Sequence, residues 1–271
     1  MHNSTEVPVV LTIAGLDPSG GAGVLADIKT IAAFRCYGVA AVTSLTFQNS
    51  QGVLGAFNHD ADAVRQQLEL LFNDFEIAAI KTGMLPTAEI IGVVASVISA
   101  NTVPIVVVDP VLKSTSGFDL ADEAAVEALA RDLLPLASLV TPNVAEARRL
   151  ADVVINNQSE MELAAEIIRK KGSHAVLITG GDAESRLSQD LLLDAQGVGV
   201  FGAERINSTN THGTGCTLAS ALAALLAQGR SLRAAVPIAK EYLAQAILSA
   251  PGIGHGNGPL NHFPPGFEFE R

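Results

Sequence analysis

Thr211, His212, Gly213, Thr214, Gly215 and Cys216 run straight into the apolar segment Thr217–Gln228. Two glycines let a backbone turn tightly enough for successive N–H groups to converge on one point. A helix starting there adds the positive end of its dipole. Such a turn suits a phosphate, or the charge that develops on a phosphoryl group in flight. Cys216 falls where a helix N-terminus lowers a thiol's pKa, so its position predicts a thiolate near neutral pH, and a base, beside the anion site. Phosphoryl transfer to a hydroxyl is the chemistry these residues suggest. They also suit a Gly-rich turn before a core helix with an inert buried cysteine, and a lone glycine motif does not separate the two.

Other polar clusters follow apolar runs. Gly15-Leu16-Asp17-Pro18-Ser19-Gly20-Gly21-Ala22-Gly23 comes after the first such run, with Asp27 just beyond it. The loop lacks the Lys-Ser/Thr of a Walker A motif and is not the dinucleotide G-x-G-x-x-G. Gln48-Asn49, Lys81-Thr82-Gly83-Met84, Asp109-Pro110-Val111 and Thr141-Pro142-Asn143 with Glu146 each follow another run. Ligands of open α/β sheets bind at the carboxyl ends of strands, where all of these residues would lie. Asn143 with Glu146 three residues on is also a helix-capping signature, and an Asp in a first helical turn, like Asp27, often only complements the helix dipole. Met84 and Val111 equally suit ordinary core positions.

The elements that must hold these residues alternate. Strands are predicted at Val7–Ala14, Tyr37–Phe47, Gly52–Phe57, Ala78–Thr82, Pro104–Asp109, Leu139–Thr141 and Ala175–Thr179, with Leu191–Leu193 and Gly197–Ala203 as a hairpin. Helices are predicted at Gly21–Phe34, Asp60–Phe72, Thr87–Ser99, Ala121–Leu134, from about Asn143, and at Glu160–Lys171, Thr217–Gln228 and Leu232–Leu248. This order predicts an α/β fold in which a mostly parallel sheet is covered by helices on both faces, with residues 1–271 forming one domain. The stretch from Pro251 onward reads as a surface segment. Ile90–Val108 carries no charge, but Asn101-Thr102-Val103-Pro104 breaks it into helix, turn and buried strand, so no membrane span is expected.

Composition agrees. Of 271 residues, 48% are hydrophobic and only 4% aromatic, which suggests a core of Val, Leu, Ile and Ala. The net charge of −11, without a Lys/Arg cluster, disfavours nucleic acid as a partner. Two cysteines far apart form no disulfide framework, and Met1–Glu6 lacks the order of a secretory signal; both suit the cytoplasm.

As a set, A-G-x-D-P-S-G-G-A-G, Q-N, K-x-G-M-L, D-P-V, T-P-N-x-x-E-A and N-T-H-G-T-G-C-T resemble the hydroxymethylpyrimidine/phosphomethylpyrimidine kinases of the ribokinase-like superfamily, from the first strand through the helix after Cys216. The resemblance implies a three-layer ribokinase-like sandwich that uses ATP and Mg²⁺ to phosphorylate 4-amino-5-hydroxymethyl-2-methylpyrimidine and then its monophosphate. By the same resemblance Gln48 reads the pyrimidine, Asp27 lies near the hydroxymethyl group, and Gly15, Ala22, Met84 and Val111 line the pocket. Asp109 and Glu146 hold Mg²⁺, and Thr141, Asn143, Glu146, Thr179, Gly180 and Thr214 serve the nucleotide. Gly213 and Gly215 stabilise the transferring phosphoryl group beside Cys216 as general base. His212 is expected to hold its loop, and Cys36 to be inert. A homodimer is implied too. The alternatives are a pyridoxal/pyridoxine kinase of the same superfamily, or a pyrimidine-binding homologue without turnover. Thr179-Gly180-Gly181-Asp182 stands where many members carry K-G-G-H, and Thr115 where a Lys is common; Lys113 is the nearby cation that could compensate.

Overall fold

The structure, a computed structural model, describes residues 7–114, 116–180 and 187–267. Thr115, Gly181 and Asp182 lie outside the described residues. One sheet of nine strands runs among them in the order β3-β2-β1-β4-β5-β6-β7-β8-β9. The strands are β1 (Val9–Leu16), β2 (Tyr37–Asn49), β3 (Gly52–Asn58), β4 (Ile77–Thr82), β5 (Val106–Val108), β6 (Leu139–Val140), β7 (Val176–Ile178), β8 (Leu187–Asp194) and β9 (Gly197–Glu204). From β2 across to β7 neighbouring strands are parallel, while β3, β8 and β9 join antiparallel at the two edges.

Strand residues alternate between two cores, as the two-residue pleat requires. Leu11 and Ile13, Val106 and Val108, and Val176 and Ile178 face one core; Val10, Val107 and Leu177 face the other. Helices α2 (Ala61–Asp74), α3 (Ala88–Ala100), α4 (Glu123–Ala128), α5 (Val144–Ala151) and α6 (Gln158–Lys170) cover the first. Helices α1 (Gly23–Ala33), α7 (Thr214–Ala227) and α8 (Leu232–Leu248) cover the second. Three layers result, and β-branched strands buried on both faces explain the apolar composition.

Caps fix where helices begin. Asp60, Thr87 and Asp122 accept hydrogen bonds from the backbone of Ala63, Ile90 and Ala125. The helix expected at Ala121–Leu134 starts two residues later and loosens into a π turn at Leu129–Leu133 and a 3₁₀ turn at Leu134–Leu136. Pro135, which has no N–H to donate, ends it. The uncharged stretch flagged above divides into α3 and β5, and no helix among the described residues is long and apolar enough to cross a membrane. From β1 the chain moves outward to β2 and β3, then returns to the other side with β4. Strand order reverses between β1 and β4, and their carboxyl ends are the position where open α/β sheets carry their ligand crevice.

Candidate active site

Two glycine loops interlock over that crevice. Gly23 opens α1 at φ +57, where a Cβ would sit 2.2 Å from the Gly15 carbonyl oxygen. Gly213 caps α7 at φ +85, where a Cβ would sit 1.9 Å from the Gly21 carbonyl oxygen. Only glycine permits both the left-handed backbone and the approach. No side chain caps α7, and among the described residues the N–H groups of Gly213, Gly215 and Cys216 have no hydrogen-bond partner. Gly215 is exposed, and Thr214 and Cys216 are half-buried. Unpaired amides at an open helix N-terminus form an anion cradle.

Beneath the cradle lies a buried charge cluster. Lys81, fully buried on β4, places Nζ 2.9 and 3.0 Å from the Asp27 carboxylate oxygens and 3.8 Å from Asp109 Oδ2. Asp27 also accepts from Thr12 Oγ1 at 2.6 Å and Ser220 Oγ at 2.8 Å. Burial alone would lower the Lys81 pKa, but Asp27, Cys216 and Asp109 outweigh it and keep the ammonium charged. The structure sets Asp27, expected near the hydroxymethyl group, against Lys81, Thr12 and Ser220 beneath the cradle. Asp27 has no exposed surface, and its partners already saturate it. Its task is to hold Lys81. Sequence reasoning passed over Lys81, although a charge inside an otherwise apolar, two-sided buried strand demands a partner.

A correction concerns Cys216. The residue is half-buried, and that burial pushes its thiol up to about 12. Lys81 and the Gly23 amide favour the thiolate, while Asp109 and Asp27 oppose it. The resting side chain is a thiol. A thiol pKa raised by burial lowers the thiolate fraction at neutral pH. Alkylation of Cys216 by iodoacetamide is therefore expected to run slower than that of a free thiol, and to keep accelerating above pH 9. Mass spectrometry of a time course at several pH values measures it; a rate near that of free cysteine would overturn the assignment.

At the carboxyl ends of β4, β5 and β6, three buried oxygens have no hydrogen-bond partner: Thr82 Oγ1, Asp109 Oδ2 and Thr141 Oγ1. Burial raises the Asp109 pKa and Lys81 pulls it back. Oxygens of this kind fit a hydrated Mg²⁺, which takes one or two carboxylates with waters and substrate phosphates. Asn143 caps α5 in a full capping box: its side chain accepts from the Glu146 amide at 2.9 Å, and Glu146 Oε2 accepts from the Asn143 amide at 3.0 Å. Glu146 Oε1 lies 3.4 Å from the Leu112 amide, so the capping reading of this pair is realised. Thr179 lies beside Asn143. The Gly180 amide donates to Asp190 Oδ1 at 3.0 Å, and a Cβ there would meet the Gln189 carbonyl at 2.0 Å. Gly180, expected to serve the nucleotide, has its N–H committed inside the fold. Lys113 pairs with the exposed Asp119 at 3.0 Å on the surface.

On the other side of α7's start, the β2–β3 register shifts between Phe47 and Gln48. Gln48 Nε2 is 3.5 Å from His212 Nε2, and His212 Nε2 is 2.8 Å from Asp17 Oδ2. Asp17 also accepts from Ser19, Gly21 and Ala22. Burial alone would raise the Asp17 pKa, but hydrogen bonds from His212, Ser19 and Gln48 hold it well below the usual carboxylate range. His212 therefore ties the two glycine loops together. Met84 packs on Gly15, where a Cβ would meet its sulfur at 2.9 Å, and Val111 is half-buried next to Asp109.

A parallel sheet with its crevice at a strand-order reversal, an amide cradle on the penultimate helix and acidic groups at adjacent strand ends define a phosphotransferase of ribokinase-like type. The phosphomethylpyrimidine kinase family model matches residues 17–261, and the chain belongs to that family. It is 41% identical over 96% of its length to the hydroxymethylpyrimidine/phosphomethylpyrimidine kinase of Haemophilus influenzae, covering 98% of that protein. It is 44% identical over 93% of its length to the thiamine biosynthesis bifunctional protein ThiED of Geobacter sulfurreducens, and spans about half of that protein, 52%. Among solved structures, Staphylococcus aureus pyridoxal kinase in complex with AMP-PCP superposes with a TM-score of 0.89 at 35% identity, covering 96% of this chain and 94% of that one. The phosphomethylpyrimidine kinase of Clostridium difficile gives 0.79 at 35% identity, covering 89% and 99%. The chain is a kinase.

Proposed function

We propose that the chain phosphorylates 4-amino-5-hydroxymethyl-2-methylpyrimidine from ATP and then phosphorylates the monophosphate, supplying the diphosphate for thiamine biosynthesis. The carrying observation is adjacency: His212 touches Gln48, the candidate ring reader, and the next residue opens the cradle of unpaired Gly213, Gly215 and Cys216 amides. A ring held at Gln48, between Gly15, Ala22, Met84 and Val111, presents its CH₂OH toward the cradle. In this reading Thr141, Asn143, Thr179 and Thr214 flank the nucleotide.

Phosphoryl transfer passes through a loose transition state, so positioning and charge stabilisation carry most of the rate. The cradle amides stabilise the equatorial oxygens of the migrating group. Asp109 and Glu146 would hold Mg²⁺, which neutralises phosphate charge when bound. Cys216 is the residue placed to take the hydroxyl proton. Its thiol ionises during the cycle rather than before it, and Lys81 is the cation that holds the resulting thiolate. Two copies pairing through the β2–β3 face, where Leu45, Phe47 and Phe57 are exposed, would cover that apolar patch as a homodimer. Free cysteines and the metabolic role suit a cytoplasmic enzyme.

The fold's likeness to pyridoxal kinase supports a second reading, that a pyridine bearing CH₂OH is the substrate. Gln48 separates them, because an amide can both donate to and accept from an aminopyrimidine edge. In a coupled ADP-release assay, Gln48→Met is expected to lower kcat/KM for the pyrimidine about 10- to 100-fold and for pyridoxal less than about threefold. Equal losses on both substrates would remove Gln48 as ring reader and favour the pyridine.

A further inference from the structure

Unpaired amides at a helix start converge only if something holds the first turn, and α7 has no side-chain cap. The surface segment expected from Pro251 onward divides in two. Residues 251–257 are exposed, whereas Gly258, Leu260 and His262 are buried with half-buried Pro259 and Asn261 between them, the alternation of an extended chain. This strap meets the chain on both sides of the cradle. Ahead of Gly213, the His212 amide donates to the Gly258 carbonyl at 3.2 Å, and His212 forms a bridge with Pro259. Behind Cys216, fully buried Thr217 places Oγ1 3.4 Å from His262 Nε2. Pro259 also reaches the first glycine loop, where a Cβ on Gly21 would stand 3.3 Å from the proline Cβ. The strap is itself tied to α8. The Asn261 amide donates to the Ala246 carbonyl at 3.0 Å, and the hydroxyl of fully buried Tyr242 donates to the His262 carbonyl at 2.8 Å.

His262 is only 4% exposed, and burial, with Lys29 adding to it, pushes its pKa down to about 4. The ring is neutral at working pH, with one donor and one acceptor nitrogen. A threonine hydroxyl can take either part, so the contact with Thr217 forms with either tautomer. Burying a polar ring costs free energy unless it is hydrogen-bonded, and the Thr217 hydroxyl is the partner of its Nε2.

We propose that His262 is a positioning residue for phosphoryl transfer: together with the Gly258 carbonyl it holds Thr217 and His212, and so fixes the direction of the cradle amides between them. The proposal rests on the reading of the cradle as the phosphoryl site. It adds a residue that lies 45 positions beyond Thr217 in sequence and acts through it rather than on the reacting atoms.

The test compares His262→Gln with His262→Met, two side chains of similar length. The glutamine amide can meet the Thr217 hydroxyl, whereas a thioether is at most a weak acceptor. His262→Met is expected to lower kcat about 10- to 100-fold, the effect of amides moved slightly off their target. KM for the pyrimidine is expected to stay within about threefold, because the loss falls on the transition state. His262→Gln is expected to keep kcat within about threefold of wild type. Equal kcat in the two variants, or losses that only follow the urea midpoint, would make His262 a packing residue and overturn the proposal. Failure of the cradle reading itself shows separately, as a Gly213→Ala protein with near-normal kcat/KM. A second measurement needs no variant. In amide hydrogen exchange of the wild-type protein by NMR, the His212 and Asn261 amides that tie the strap are expected to be protected like the Thr217 amide, which donates to the Gly213 carbonyl in the first turn of α7. Exchange at either amide as fast as in an unfolded chain overturns the proposal.

Discussion

Replacing Gly213 by alanine is expected to lower kcat/KM for ATP by about 10²- to 10³-fold, the size of effect seen when a preorganised anion donor is lost. A methyl group there would stand 1.9 Å from the Gly21 carbonyl while the backbone holds φ +85, so the turn must open. Opening it moves the Gly213, Gly215 and Cys216 amides off their common focus and separates the two glycine loops. The strain is expected to cost about 1–3 kcal/mol of stability as well. Gly92→Ala, in α3 and away from the cradle, is the control for general damage. A Cβ at Gly92 meets nothing within 4 Å, and a helical glycine gains stability on becoming alanine. Steady-state kinetics with varied ATP, paired with urea denaturation, separates the two effects. A Gly213→Ala protein with near-normal kcat/KM would show that the cradle does not bind the transferring phosphoryl group.

Lys81→Met is expected to be the most destabilising single change in the site, at about 3–5 kcal/mol, because it strands the Asp27 carboxylate in the core without its cation. Removing both charges together, as Lys81→Met with Asp27→Asn, is expected to recover about 1–2 kcal/mol of that loss, since the asparagine carbonyl still accepts from Thr12 and Ser220. Activity is not expected to return with stability, since the cation beside Cys216 and Asp109 is gone. Urea melts of wild type, single and double variants give the comparison. A single-variant loss under about 1 kcal/mol would mean that the pair does not organise the site.

Much of this was legible in the chain because its signals are local. The caps at Asp60, Thr87 and Asn143, the alternating apolar runs and the glycines that must turn located the elements to within a few residues. The sequence set that resembles the kinase family also placed its polar residues at strand ends. What stayed hidden depends on partners distant in sequence. For Asp27 nothing local showed that Thr12, Lys81 and Ser220 close around it. Cys216 looked like a thiolate because its position in the helix was visible while the burial that raises its thiol pKa was not. Gly180 was expected to serve the nucleotide, and nothing local showed that Asp190, ten residues on in the hairpin, takes its N–H. His212 was read as a loop-holding residue. Its partner Asp17, 195 residues away in sequence, was invisible before folding.

The most direct measurement is product identification. The protein is incubated with ATP, Mg²⁺ and a panel of hydroxymethyl heterocycles, and products are followed by mass spectrometry and ³¹P NMR. The expected result is the monophosphate and then the diphosphate of 4-amino-5-hydroxymethyl-2-methylpyrimidine, with matching ADP. Phosphate appearing only on pyridoxal, or on none of the rings, would contradict the account.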